Sequence, residues 1–188
     1  MEAIIICGLP ASGKTTVAAL VAKKLHIRHL GGTDILKEMA AELGYKMSGD
    51  DWWDTDEGIR FSSEREGNPE LDNQTDKRML KEIEEGDVVV TSYTAPWLSK
   101  VGFKCWLSAS KEKRAQRMAK RDHTTPEESA KVAKVREEEN HRIYKELYGI
   151  NFGEDMRPFD LEIDTDAISA ELAAEMIVAK FKKRNKAK

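Results

Sequence analysis

The stretch Gly8-Leu9-Pro10-Ala11-Ser12-Gly13-Lys14-Thr15-Thr16 decides how the rest of the chain is read. It follows the apolar run Ala3-Ile4-Ile5-Ile6-Cys7 and opens the helical pattern Val17-Ala18-Ala19-Leu20-Val21-Ala22. A strand, a glycine-bounded turn matching G-x-x-x-x-G-K-[ST], and then a helix make a phosphate-binding loop. Gly8 and Gly13 let the backbone turn where a side chain would clash, so successive N–H groups can face inward. The helix N-terminus that follows favours an anion. Lys14 adds a mobile point charge for the β- and γ-phosphates, and the Thr15 hydroxyl can ligate Mg²⁺. The whole run from Gly8 to Thr16 is therefore expected to hold a nucleoside triphosphate. A glycine/serine turn with an incidental lysine is the rival reading, and the strand-then-helix context speaks against it.

Working outward, the chain has 188 residues, enough for one domain with a real core. Its 31 basic residues are balanced by 34 acidic ones, a net charge of −3. That is not the footprint of a general nucleic-acid binder. No apolar run approaches a membrane span, and with the first strand read as beginning almost at Met1 no leader is expected. Cys7 and Cys105 lie in apolar, strand-like runs and are expected as buried reduced thiols. No cysteine–histidine cluster has zinc-site spacing. The expectation is a cytoplasmic, monomeric enzyme acting on small molecules, with neither membrane nor nucleic acid as partner.

Beyond the loop, a helix carries its apolar face to about Leu25, and Ile27-Arg28-His29-Leu30 can form a short strand. Thr33 or Asp34 then starts a second helix, stopped by Gly44. Asp34 is either its cap or a carboxylate facing the acceptor or the metal, since strand ends line the ligand crevice of open α/β sheets. Residues Ser48 to Pro69 read as irregular, acidic and aromatic, a functional flap or a tolerated loop. Within them Trp52-Trp53 could stack on a base or anchor the segment to the core. Leu71 to Glu85 reads as a helix with Asp72 and Asp76 on one face and Arg78 nearby.

Val88-Val89-Val90 and Phe103-Lys104-Cys105-Trp106-Leu107 are further strands, the first ending in Thr91-Ser92-Tyr93. A basic helix follows, with Arg114, Arg117 and Arg121 on one face. Such a stripe suits phosphoryl transfer, where charge grows on the transferring oxygens, or it is a solvated face. Thr125 caps and Pro126 begins a long charged helix that holds Arg136 and Arg142 and runs to about Tyr148. Leu161-Glu162-Ile163-Asp164 is a last strand, and an amphipathic helix covers about Ser169 to Phe181. The basic tail from Lys182 to Lys188 is expected to be frayed and solvated. Strands alternating with helices predict a five-stranded parallel sheet wrapped on both faces, a three-layer α/β/α fold.

In that order and at that length the chain resembles the archaeal-type cytidylate kinases, within the nucleoside monophosphate kinases, from Met1 to about Phe181. The resemblance is carried by the phosphate-binding loop and by Gly32-Thr33-Asp34-Ile35, Pro69-Glu70-Leu71-Asp72 with Asp76-Lys77-Arg78, and Arg114-Ala115-Gln116-Arg117. Arg136-Glu137-Glu138 with Arg142-Ile143-Tyr144, and Leu147-Tyr148-Gly149-Ile150-Asn151, carry the rest. It implies one P-loop kinase domain over 1–188, with a monophosphate-binding flap at about 33–85 and a lid of arginine helices at about 110–148. It also implies transfer of the ATP γ-phosphoryl group to CMP or dCMP with Mg²⁺.

By the resemblance Lys14, Arg117, Arg121 and Arg136 would be catalytic. Asp34, Lys37, Asp72, Asp76, Arg78 and Arg142 would serve the acceptor. The family's acidic residue, glycine and arginine at the third strand's end are replaced here by Thr91-Ser92-Tyr93, its second-helix arginine by Lys37, and a common glutamine by Met79. Lysine keeps the charge but loses the bidentate fork. The departures leave two other readings open: a P-loop kinase for another small acceptor, and a nucleotide-dependent switch or assembly factor.

Overall fold

The computed structural model of the chain describes residues 1–47, 52, 55–66 and 68–186. Five strands, β1 (Ile4–Gly8), β2 (Arg28–Gly31), β3 (Val88–Thr91), β4 (Phe103–Ser108) and β5 (Leu161–Asp164), form one sheet in the order β2-β3-β1-β4-β5. Every pairing is parallel, with Ile5 opposite Val90 on one side and Lys104 on the other. The helices are α1 (Lys14–Leu25), α2 (Gly32–Glu42), α3 (Asp56–Glu66), α4 (Pro69–Glu85), α5 (Ala95–Leu98), α6 (Lys111–Asp122), α7 (Pro126–Tyr148) and α8 (Ala170–Lys186).

β1 is buried along its whole length, so it must be covered on both faces. Side chains alternate along a strand, and the two cores follow from that alternation. Ile5, Val88 and Val90 pack under α2 and α4 with Leu36, Met39, Phe61, Met79 and Ile83. Ile4, Ile6, Val89 and Phe103 pack on the other face with Val17 and Val21 of α1 and Ala173, Ile177 and Phe181 of α8. The expected three-layer arrangement is therefore present. A third cluster, with Cys7, Trp106, Ile150 and Phe152 at its centre, closes the ends of β1 and β4. The chain leaves β1 for β2 on one side and leaves β3 for β4 on the other. The connections part at the C-terminal ends of β1 and β3, where open α/β sheets bind ligands.

Two local readings are corrected, and between them one open alternative is decided. The irregular stretch contains α3, a helix with a polar sequence and acidic residues in its first turn. Its buried anchor is Phe61, which packs on Trp52 and Tyr45 with ring centroids 5.8 and 5.4 Å apart. Trp52 is itself buried and donates its indole N–H to Lys46 O (2.9 Å), so it anchors the segment and does not stack on a ligand. Trp53, with Gly49, Asp50, Asp51 and Asp54, lies outside the described residues. α8, in turn, continues to Lys186, through residues expected to fray. The Arg184 guanidinium lies 5.6 Å from the Phe103 ring centre and pairs with Asp160 and with Glu2 (3.2 Å). α7 starts where its capping residues predict: Thr125 Oγ1 accepts from Glu128 N (3.2 Å), and the Glu128 carboxylate accepts from Thr125 N (3.0 Å).

Candidate active site

The loop between β1 and α1 has the backbone that its glycines foretell. Gly8 has φ +153°, and a Cβ there would lie 2.2 Å from Leu107 O, so only glycine fits between the loop and β4. Ala11 (φ 60°) and Gly13 (φ 98°) are left-handed, which turns the loop into a concave cradle ending at the α1 N-terminus. Lys14 Nζ donates to Gly8 O (2.9 Å) and Leu9 O (2.8 Å). Burial pulls its pKa down to about 8 and pushes that of Cys7, beneath it, up to about 12.

Two cavities open from this point. The first, of about 710 Å³, is bounded by Pro10 to Val17, by Arg117, Met118 and Arg121 of α6, by Arg136 of α7, and by Thr165 and Ile168 after β5. The second, of about 410 Å³, is bounded by Thr33 and Leu36 of α2, Arg65 of α3, Asp72, Thr75 and Asp76 of α4, the Thr91–Thr94 segment, and Asn140, Tyr144 and Tyr148 of α7. Among the described residues, Lys14, Thr15 and Tyr93 border both. A phosphoryl group passing from one cavity to the other would pass these three.

The arginine stripe divides. Arg114 is buried; it donates to Ala109 O and pairs with Glu137, joining α6 to α7. It packs the scaffold and does not face the cavity. Arg117 faces the first cavity and is held by Thr165, with Nη1 to Oγ1 at 2.9 Å and Nη2 to O at 2.6 Å. The same Thr165 hydroxyl lies 3.1 Å from Ser12 O, so the loop after β5 braces the phosphate-binding loop and Arg117 together. Arg121 borders the cavity and is paired through two bonds with Asp122. Arg136 borders it from α7.

On the acceptor side, Asp72 and Asp76 do face the second cavity. Asp72 accepts from Arg65 Nε (2.9 Å) and Nη2 (2.6 Å). Asp76 accepts from the hydroxyls of Thr94 (2.7 Å) and Tyr148 (2.7 Å). Burial raises its pKa against those two hydrogen bonds, which favour the charged form.

Four expected acceptor residues do not reach the cavity walls. Arg78 is exposed and pairs with Glu42 through bonds of 2.8 and 2.5 Å. Arg142 pairs with Glu146 (3.3 Å) one turn along α7. Asp34, the third residue of α2, accepts from the N-cap amide Gly31 N (2.7 Å), a capping contact in line with the first of its two readings. Lys37 sits on α2 behind Leu36 and is not among the lining residues.

Conversely, Arg65, Asn140, Tyr144 and Tyr148 line the cavity without having been singled out as acceptor residues. The signal for Arg65 was hidden because the polar sequence of α3 does not announce a helix. For the α7 residues a signal existed: Asn140, Tyr144 and Tyr148 recur every fourth residue and so share a face.

A P-loop at the switch point of a parallel sheet, opening into a donor-sized and an acceptor-sized cavity, defines the class: a P-loop kinase, a phosphotransferase. Solved structures agree on the fold. A shikimate kinase from Acinetobacter baumannii in complex with shikimate is 19% identical, with a TM-score of 0.58 over 100% of this chain and 96% of that one. An uncharacterized protein from Eubacterium ventriosum is 17% identical, with a TM-score of 0.63 over 95% and 97%. The particular family is set by sequence. Residues 3–167 match the cytidylate kinase-like family, and the chain belongs to it. A cytidylate kinase of Pyrobaculum neutrophilum is 33% identical over 90% of this chain and 86% of its own. That of Methanocaldococcus jannaschii is 34% identical over 86% and 87%. No helix of the described residues is long and apolar enough to cross a membrane.

Proposed function

We propose that the chain transfers the γ-phosphoryl group of ATP to CMP or dCMP. The observation that carries this reading is the meeting of two differently built cavities at Lys14 and Thr15, one walled by the phosphate-binding loop and the other holding Arg65, Asp72 and Asp76. The family assignment does not favour the two other readings. Lys14 and the free backbone N–H groups of the Gly8–Thr16 loop, in which Pro10 has none, hold the donor's β- and γ-phosphates. Arg117 lies along the donor, and Arg121 and Arg136 close on the transferring group, so charge that builds on its oxygens meets fixed cations.

In the second cavity, Arg65 is the guanidinium placed to take the acceptor phosphate, oriented by Asp72. Asp76, an acceptor-only carboxylate, suits a base with an exocyclic amine at its edge, as cytosine has and uracil lacks. Positioning and charge neutralisation supply the rate, and no covalent intermediate is required. Arg78, Arg142 and Asp34 act at one remove, Arg78 by joining α4 to α2 and the other two by holding α7 and the start of α2.

For Mg²⁺ the fit rests on Thr15, an exposed hydroxyl at the first turn of α1 that borders both cavities. There the ion would be held by the Thr15 hydroxyl together with phosphate oxygens and water. Bound there, it would neutralise phosphate charge. The reading extends to one kinase domain, whose flap (about 33–85) and lid (about 110–148) close over the substrates and exclude water, in a cytoplasmic monomer. The test is release of ADP from MgATP with CMP, dCMP, UMP, AMP and GMP offered in parallel. CMP and dCMP are expected to accelerate it above the others. Equal or absent acceleration by all five would overturn the acceptor assignment.

A further inference from the structure

Tyr93 stands at the end of β3 and shares with Lys14 and Thr15 the border between the cavities. Its ring centre lies 4.7 Å from Lys14 Nζ. The ammonium already donates to Gly8 O and Leu9 O, so the ring completes a site that two carbonyls begin. A ring face attracts an ammonium, and Lys14 Nζ lies over this one. The ring is itself held. Phe152 meets it edge-on at 5.5 Å, and Tyr144 lies 6.2 Å away, inclined by 30°. Tyr144 belongs to α7, which also brings Arg136 to the donor cavity.

We propose that Tyr93 is a positioning residue for Lys14. Its ring face fixes the ammonium where donor and acceptor cavities meet, and Tyr144 and Phe152 fix the ring, so the placement of α7 is transmitted to the lysine. The proposal rests on the phosphoryl-transfer reading and adds to it a residue that neither binds phosphate nor moves a proton.

The test compares Tyr93→Phe with Tyr93→Leu. Phenylalanine keeps the ring face; leucine keeps apolar bulk without one. In Tyr93→Leu, kcat with CMP falls about tenfold while KM for ATP and CMP stays within about twofold, and Tyr93→Phe restores kcat. A role in packing alone would lower the melting temperature of Tyr93→Leu without separating kcat from KM. A second readout needs no turnover and no folded leucine variant. The Lys14 ε-methylene protons, identified by their loss in Lys14→Arg, should show an upfield ring-current shift in the unsubstituted protein. Undiminished kcat in Tyr93→Leu, or no such shift, overturns the proposal. A clear shift without CMP-dependent ADP release supports the hold of the ring on Lys14 and overturns the acceptor reading instead.

Discussion

Lys14 carries two obligations at once: it must stay charged, and it sits where burial disfavours charge. Its pKa of about 8 means that the ammonium is lost as pH rises through that value in the free protein. The kcat/KM for ATP should therefore fall above pH 8, by about tenfold per unit once the limb is reached. Bound phosphate favours the ammonium, so kcat at saturating ATP should stay level to higher pH. Lys14→Ala should remove both the limb and nearly all turnover while leaving the circular dichroism spectrum unchanged. Near-normal turnover in that variant would sink the assigned role.

Arg65 poses a different question, because its partner Asp72 is also on the cavity wall. Arg65→Gln should raise KM for CMP by about tenfold or more, with KM for ATP little changed, since a charge-assisted contact is lost on one side only. An equal rise in both would place Arg65 in the scaffold. The place of Lys14 in the phosphate-binding loop was legible from the motif alone. The place of Arg65 on the second cavity's wall was not, because a side chain cannot be assigned to a wall until its helix is known.

At the scale of elements, legibility followed the strength of the local signal. β1, β3 and β4 were readable as apolar runs, and α1 and α7 from glycine and capping residues, because those features act within a few residues of themselves. α3 was not readable: its charged surface hides a single anchor, and that anchor meets Trp52 and Tyr45 only in three dimensions. Deleting the anchor should show how much the element depends on it. Phe61→Ala should cost about 3–5 kcal/mol of stability, the usual range for a large buried aromatic. Because α3 carries Arg65, it should also weaken CMP binding more than ATP binding. Denaturant unfolding together with the two KM values checks both halves. The arginine stripe of α6 teaches the converse lesson. Spacing put Arg114, Arg117 and Arg121 on one face, yet the three side chains end in a buried ion pair, a brace on Thr165 and a surface pair.

Across the whole molecule, the two cavities are one cleft divided by Lys14, Thr15 and Tyr93, walled by elements far apart in sequence. A ligand that spans the divide should therefore engage both walls at once. A bisubstrate compound joining adenosine to cytidine through a polyphosphate is expected to raise the melting temperature beyond ATP and CMP added together, because it binds as one molecule what the separate ligands bind as two. A shift no larger than that of ATP alone would mean that the second cavity does not take the cytidine end. The sequence by itself determined the sheet, its helical cover, the phosphate-binding loop and the family, since each depends on local periodicity or on a motif whose parts are adjacent. Tertiary structure alone decided which charges face the cleft. Arg78 and Arg114 are neutralised by partners on other helices, which sequence spacing could not choose, and Arg142 by Glu146 one turn along its own helix, while Arg65 and Tyr93 are brought to the site by packing. Where a long side chain ends depends on which opposite charge or ring lies within its reach, and only the folded chain sets that distance.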